Sequence, residues 1–296
     1  MTWLSGIVAE VAAGRQPDIA VRAPVTLYVL VGYMPMALYY LRKWTDATLE
    51  TISSRFALDR YGLGYSKLMI AMVGIAGSVS MYFAFLHQPM DPGLLIQPLR
   101  WSLTFVLPLV GIVLMGWFMF RFLFLLLWSA TAVSRTAREV RNIDLLDSVS
   151  VKPYAQHGVN SSLLAVVALS ICANLWLDPE SPTIGTVFTV MLLVLSAAMA
   201  LLLPTWGIHK RLKESKAAEL QEIRSAISKR RKPATRSVED AQQLRADLAL
   251  ERRLMEVSEW PFDAGSYGRV ALYVVLGFGS WIGAALVERA LESIGG

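Results

Sequence analysis

The chain contains six apolar runs, each near the length of a membrane-spanning helix and five of them without any charge, at 23–41, 68–86, 102–128, 159–177, 183–206 and 270–287. About 20 residues of helix cross a hydrocarbon layer ~30 Å thick. A helix satisfies its backbone groups internally, and no run alternates like a barrel strand. Charged residues form only 17% of the chain, whereas a soluble domain has about a quarter. The sequence therefore predicts an all-α, polytopic protein of the lipid bilayer.

Lysine and arginine are distributed unevenly between the connections, and this asymmetry predicts the orientation. The connections 42–67, 129–158 and 207–269 together carry 23 of these residues. The connections 87–101 and 178–182, together with the N-terminal tail, carry 3. The three basic connections are therefore predicted to be cytoplasmic, so that both termini lie outside, and the expected location is a bacterial inner (plasma) membrane.

The six runs group into three predicted hairpins, each turning through a cytoplasmic connection. The predicted organisation has four parts. They are an outer interfacial amphipathic segment at 1–22, transmembrane helices 1–5 with their helical connections at 23–206, a cytoplasmic helical hairpin at 207–268, and transmembrane helix 6 with the outer C-terminus at 269–296.

The hairpin at 207–268, called the arm below, is predicted to resemble a coiled coil. One apolar stripe marks its first helix, about 208–231, through Leu212, Leu220, Ile223 and Ile227. Pro233 ends that helix, and the second helix has its apolar stripe at Ala241, Leu244, Leu248 and Met255. The tip of the arm carries the basic run Lys229, Arg230, Arg231 and Lys232. A solvated turn and a docking point for an acidic protein are the two interpretations of that run, and nucleic acid is not an expected partner.

Catalytic and metal-binding signatures are missing from the sequence. The single cysteine, Cys172, excludes a thiolate cluster, and His87 is predicted on the opposite side of the membrane from His157 and His209. No phosphate-binding, dinucleotide-binding or hydrolase motif occurs. No Asp, Glu or Lys lies deep in a span, which disfavours ion-coupled transport. We therefore expect neither an enzyme nor a cofactor.

Three polar residues within the spans are the candidates for a functional site: Arg121, Asn174 and Tyr33. For Arg121 two interpretations stay open. The arginine extends toward the cytoplasmic interface with cation–π support from Trp117, Phe118 or Phe124, or it lines a cavity or pairs with Asp147 or Asp263.

Two functions from different classes are compatible with these features. The first is an oligomeric passive channel or facilitator for ions or a small solute, which the frequency of transport among polytopic proteins favours. The second is a membrane scaffold or signalling subunit whose arm binds a soluble cytoplasmic protein. In both cases a homo-oligomer is expected.

Overall fold

The structure is a computed structural model of the chain, and it describes residues 19–58, 64, 66–86, 103–140, 143–145, 147, 149–173, 184–231, 238–260 and 268. Over these residues it contains six α-helices and no strand. The helices are α1 (Ile19–Phe56), α2 (Lys67–Leu86), α3 (Leu103–Glu139), α4 (Lys152–Ala173), α5 (Ile184–Arg231) and α6 (Val238–Glu256). The predicted all-α fold class is confirmed.

Three of the described helices are long and apolar enough to cross a membrane. Their membrane-compatible parts are Leu109–Glu139, Lys152–Cys172 and Met191–Lys229. The apolar part of α2, Lys67–Phe83, is shorter. The sixth predicted run, 270–287, lies outside the described residues.

Local signals fix several helix ends. The α1 helix ends at Phe56, and the next residue, Ala57, has a positive φ of 48° that lets the amide of Leu58 donate to the carbonyl of Ser53 at 3.0 Å. This is a Schellman-type end, formed here by alanine where glycine is usual. The α2 helix starts after Ser66, whose hydroxyl accepts a hydrogen bond from the amide of Met69 at 3.0 Å.

The packing centres on four helices. The α3 helix packs against α1 and α5, and α4 packs against the other sides of α1 and α5, so these four form a bundle. The α2 helix packs against α3 outside that bundle. Among the described residues α3 contacts α4 only slightly, and α1 and α2 are not a packed pair. The predicted pairing of consecutive spans into hairpins is therefore not confirmed.

Two separate clusters of buried side chains show how the helices are oriented relative to one another. The first core contains Leu30 and Leu41 of α1, with α3, α4 and α5 contributing from 119–126, 164–172 and 193–200. The second core contains Leu49, Ile52, Val133, Ala137, Leu145, Val151, Tyr154, Ile208, Leu212 and Leu254. Residue numbers rise from the first core to the second in α1, α3 and α5 and fall in α4. The three long helices are therefore parallel to one another and antiparallel to α4.

Aromatic residues lie between the two cores on all three parallel helices. Tyr40 contacts Trp44 on α1, Phe124 stacks on Trp128 in α3, and Trp206 of α5 is 61% exposed. Such residues are enriched where a membrane meets water. Beyond this level the helices continue with charged, exposed positions to their ends in Phe56, Glu139 and Arg231.

The α6 helix runs antiparallel to the second half of α5. Arg224 pairs with Glu251 at 2.7 Å, and Lys216, earlier in α5, binds the carbonyl of Val257, later in the chain, at 2.8 Å. The predicted stripe of α5 is confirmed, because Leu212 is buried and its three partners are partly buried.

The stripe predicted for α6 is largely wrong. Of its four residues only Leu244 is partly buried, whereas Ala241, Leu248 and Met255 are exposed. The side of α6 that faces α5 instead contains Leu244, Asp247, Glu251 and Leu254. The ion pair with Arg224 brings Glu251 inward, and Leu254 enters the second core.

Candidate functional site

The sequence singled out Arg121 of α3, and the structure places it beside Trp117, a residue of the α2–α3 crossing. The guanidinium carbon lies 5.0 Å from the centroid of the Trp117 ring, which confirms one of the predicted cation–π contacts. Trp117 is one turn closer to the N-terminus of α3. Helical side chains lean in that direction, so the guanidinium points back along α3, away from its charged end. Of the two interpretations of Arg121, the structure thus shows the cation–π contact of the first, but with the guanidinium directed toward Trp117.

Small residues hold Trp117 in place. A β-carbon added to Gly74 of α2 would lie 2.7 Å from the Trp117 ring. One turn further along, Gly77 of α2 and Gly116 of α3 meet backbone to backbone, with each glycine against the carbonyl oxygen of the other. The hydroxyl of Ser78 also donates to the carbonyl of Val113 at 3.1 Å. Backbones that approach this closely are typical of helices packed in lipid.

Arg121 has no ion pair with any residue that the structure describes, and its Nε is buried there without a hydrogen-bond partner. The proposed acidic partner Asp147 organises its own turn, since its carboxylate accepts the amide of Val149 at 3.1 Å. The other proposed partner, Asp263, and the candidate Asn174 lie outside the described residues. Among the described residues, the Arg121 guanidinium therefore contacts the Trp117 ring and not a carboxylate.

The candidate Tyr33 connects two helices of the bundle. Its hydroxyl donates to the carbonyl of Leu164 in α4 at 2.8 Å. Around this bond the first core fills the bundle with apolar side chains, and Met34, Phe122, Leu126 and Leu193 are each fully buried. Within the described residues, Tyr33 thus serves the packing of α1 on α4.

A buried polar layer follows one face of α4. Tyr154, His157, Gly158 and Ser161 recur at three- and four-residue spacing, and the three side chains are each at most 1% exposed. The Nε2 atom of His157 lies 3.4 Å from the Ser161 hydroxyl, and its Nδ1 has no partner among the described residues. Sequence reasoning considered His157 only as a metal ligand, although the spacing already placed it with Tyr154 on one helix face.

Two partners extend this layer to neighbouring helices. The hydroxyl of Thr136 in α3 lies 3.4 Å from that of Tyr154, and it also donates to the carbonyl of Val133 at 2.7 Å. A β-carbon added to Gly158 would lie 2.9 Å from the carbonyl oxygen of Leu201 in α5. Close helix approach therefore fixes the layer between α3, α4 and α5.

Basic side chains bind exposed carbonyl groups around the second core. Lys216 of α5 donates to the carbonyls of Met255 and Val257, at 3.1 and 2.8 Å, where α6 ends. A cation is favourable at this end of a helix dipole. His209 stacks on Trp260, with 4.2 Å between ring centroids, and its Nδ1 lies 2.8 Å from the Glu259 carbonyl. These contacts fix the base of the arm.

The connection between α3 and α4 is held in the same way. Arg211 of α5 donates to the carbonyl of Val140 at 2.8 Å, and Arg55 of α1 donates to the carbonyl of Val149 at 2.6 Å. Basic side chains thus bind backbone carbonyls at several described positions around the second core.

The basic tip is only partly described. Lys229 is exposed near the end of α5, and Arg230 and Arg231 are the last residues of that helix. Lys232 lies outside the described residues. No group of three or more His, Cys, Asp or Glu side chains is placed to hold a metal ion within the described part of the chain.

A comparison with known protein families, with characterised proteins and with solved structures finds no match to this chain.

Proposed function

We propose that the protein is a membrane scaffold or signalling subunit that presents a cytoplasmic helical body and arm to a soluble protein. The observation that carries this proposal is the second core. The three parallel helices continue past the aromatic residues that lie between the two cores. Beyond them the helices contribute to a second apolar cluster, in which Leu254 of α6 is fully buried. A pore-forming bundle needs no such packed body at its mouth, whereas a docking platform does.

The orientation belongs to the same proposal. The second core lies at the end of the helices where lysine and arginine are concentrated, and this end is cytoplasmic by the positive-inside rule. Cation–π contacts support the position of the interface, because Lys43 lies 6.0 Å from the Tyr39 ring and Arg135 5.9 Å from the Trp128 ring. We place six transmembrane helices, both termini outside, and the arm in the cytoplasm of a bacterial cell.

The chemistry of the tip indicates an acidic partner. Between Glu222 and Glu239 the chain has no acidic residue and six lysines or arginines. A cluster of one sign attracts a partner of the opposite sign and increases the rate of association. The base of the arm is fixed by Lys216 and His209, so the tip is presented at a defined distance from the membrane.

The test places a photoreactive amino acid at Ser225, which is exposed beside the tip, in the full-length protein in cells. We expect a cross-link to one soluble, acidic protein. Reversing the charge of Lys229, Arg230 and Arg231 together should abolish the cross-link. Reversing three exposed charges on the rest of the arm, Lys210, Lys213 and Arg253, is the matched control and should preserve it. Equal cross-linking in both triple variants would refute docking at the tip.

A passive conduit is the second candidate function, and the first core restricts where its water-filled path could lie. The first core fills the described bundle, so a water-filled path would have to lie between copies of the chain. The purified protein in liposomes should then release a trapped cation or small neutral solute faster than empty liposomes. We expect no such release from the scaffold.

A further inference from the structure

Two arginines of α3 lie just beyond the aromatic residues that separate the two cores. Arg135 and Arg138 are both exposed, and their spacing of three residues places them on the same side of the helix. Trp128 lies on that side as well, because it is seven residues, or about two turns, before Arg135. The guanidinium carbon of Arg135 is 5.9 Å from the centroid of the Trp128 ring. The two arginines are called the α3 basic site below.

We infer that the α3 basic site binds the phosphate group of an anionic phospholipid in the cytoplasmic leaflet of the membrane. The inference rests on the proposed orientation of the protein, in which α3 runs from the outside to the cytoplasm. It adds a lipid ligand to the proposed function, at a site that is separate from the basic tip of the arm.

The direction of the side chains places the cations at the depth of lipid headgroups. Helical side chains lean toward the N-terminus of their helix, which for α3 is the direction of the membrane. The contact between Arg135 and Trp128 follows this rule. Tryptophan is enriched at the level of the headgroups. The guanidinium of Arg135 therefore lies near the lipid phosphates and does not extend into the cytoplasm.

The charge of the α3 basic site is not neutralised within the described part of the chain. Neither Arg135 nor Arg138 forms an ion pair with a described acidic side chain, and the adjacent Glu139 has an interaction of its own. In contrast, Arg55 and Arg211 donate to backbone carbonyls around the second core. The two positive charges of the α3 basic site are therefore available to an anion.

The chemistry of the site fits a phospholipid. A guanidinium presents planar, forked donors that match the oxygen atoms of a phosphate group. Anionic lipids of the cytoplasmic leaflet are attracted to basic residues close to the membrane surface. One turn deeper than Trp128, the partly exposed Phe124 stacks on the Trp128 ring with 5.5 Å between centroids. Apolar surface for the acyl chains therefore lies directly below the cations.

Native mass spectrometry of the purified full-length protein tests the site, because it resolves each bound lipid by its mass. The probes are phosphatidylglycerol, which is anionic, and phosphatidylcholine with the same acyl chains, which has no net charge. We expect phosphatidylglycerol to bind more tightly. In the double variant Arg135→Gln/Arg138→Gln its affinity should fall roughly 10- to 30-fold, while the affinity for phosphatidylcholine should not change.

Two further double variants are the controls. Lys213→Gln/Arg253→Gln removes two exposed charges from the arm and should bind phosphatidylglycerol as the unaltered protein does. Arg135→Lys/Arg138→Lys keeps both charges of the site and should retain most of the preference for the anionic lipid. No preference in the unaltered protein, an equal loss in the two glutamine variants, or an equal loss in the lysine variant would each overturn the inference.

A third probe and a melting curve exclude other roles for the two arginines. Glycerol 3-phosphate carries the anion without acyl chains, so equally tight binding of this probe would indicate a site for a soluble phosphate and overturn the lipid assignment. Because both side chains are exposed, Arg135→Gln/Arg138→Gln should melt in detergent at the temperature of the unaltered protein. A clearly lower melting temperature would show that the arginines stabilise the fold and would overturn a ligand-binding role. The tip is the same in every variant, so the Ser225 cross-link and the lipid preference report on different proposals.

Discussion

Alanine at Gly77 tests the close α2–α3 crossing most directly. Its β-carbon would collide with the carbonyl oxygen of Gly116 and lie 2.7 Å from the β-carbon of Phe120. A backbone carbonyl cannot rotate away as a side chain can, so α2 must move off α3. Overpacking of this kind costs about 1–3 kcal/mol, which exceeds the gain of up to ~1 kcal/mol that alanine provides over glycine in a helix. We expect Gly77→Ala to be destabilising.

Gly32 provides the matched control, since it also lies within a long helix and has nothing within 4 Å of an added β-carbon. Gly32→Ala should keep the helix-propensity gain without the collision. Because both variants gain the same helix propensity, they should differ in stability by the cost of the collision alone, about 1–3 kcal/mol. The assay is the melting temperature of each purified variant in the same detergent. If Gly77→Ala melts at or above the temperature of Gly32→Ala, the close crossing is refuted.

Three further variants test other parts of the fold. Leu254→Ala should destabilise the protein by about 2–5 kcal/mol, because the side chain is fully buried in the second core, whereas Leu250→Ala should change stability by less than ~0.5 kcal/mol. Lys216→Met should increase amide hydrogen exchange at the base of the arm, because two carbonyls lose a charged donor; unchanged exchange would contradict that role. Arg121→Leu should raise the melting temperature, because the ~2.5–3.5 kcal/mol insertion cost of the charge exceeds the ~0.5–2 kcal/mol of its contact with Trp117. A lowered melting temperature would indicate a buried acidic partner.

The stripe of α5 was predictable from sequence and the inner side of α6 was not. Leu212, Ile223 and their neighbours repeat at helical spacing, and burial requires that spacing wherever the helix packs. On α6 hydrophobicity alone marks the side with Leu248 as the inner one. The side that faces inward instead carries Leu254, which is fully buried in the second core, and Glu251, which pairs with Arg224 of α5. Both contacts depend on residues of other helices, so the hydrophobic periodicity within α6 could not predict this side.

Helix neighbours were the second feature that the sequence did not predict. Small residues such as Gly74 and Gly77 permit a close helix approach, but the sequence does not say whether the partner is another helix of the chain or another subunit. The partner, Gly116, lies between the large side chains of Met115 and Trp117 in α3. Asp147 shows the same limit for charge, because a short carboxylate binds nearby backbone as readily as a distant cation.

The burial of His157 has a free-energy cost that none of its described contacts offsets. Its side chain is 1% exposed, and among the described residues its Nδ1 has no hydrogen-bond partner. A buried, unsatisfied polar group costs about 1–3 kcal/mol, so replacement by leucine should raise the melting temperature. Ser161 would not be left unpaired, because a helical serine can donate to the carbonyl four residues earlier, as Ser170 does to Val166 at 2.9 Å.

The same variant separates a structural histidine from a functional one. If His157 only packs, the His157→Leu variant should be more stable and should keep the Ser225 cross-link to the proposed soluble partner. A functional residue commonly destabilises the fold that contains it, so a more stable variant that loses the cross-link would assign the polar layer of α4 a part in signalling to the arm. A lower melting temperature would contradict the assignment of His157 as a net destabilising residue. The measurement therefore requires both the melting curve in detergent and the cross-link in cells, with Ser161→Ala beside it to report the loss of the hydroxyl alone.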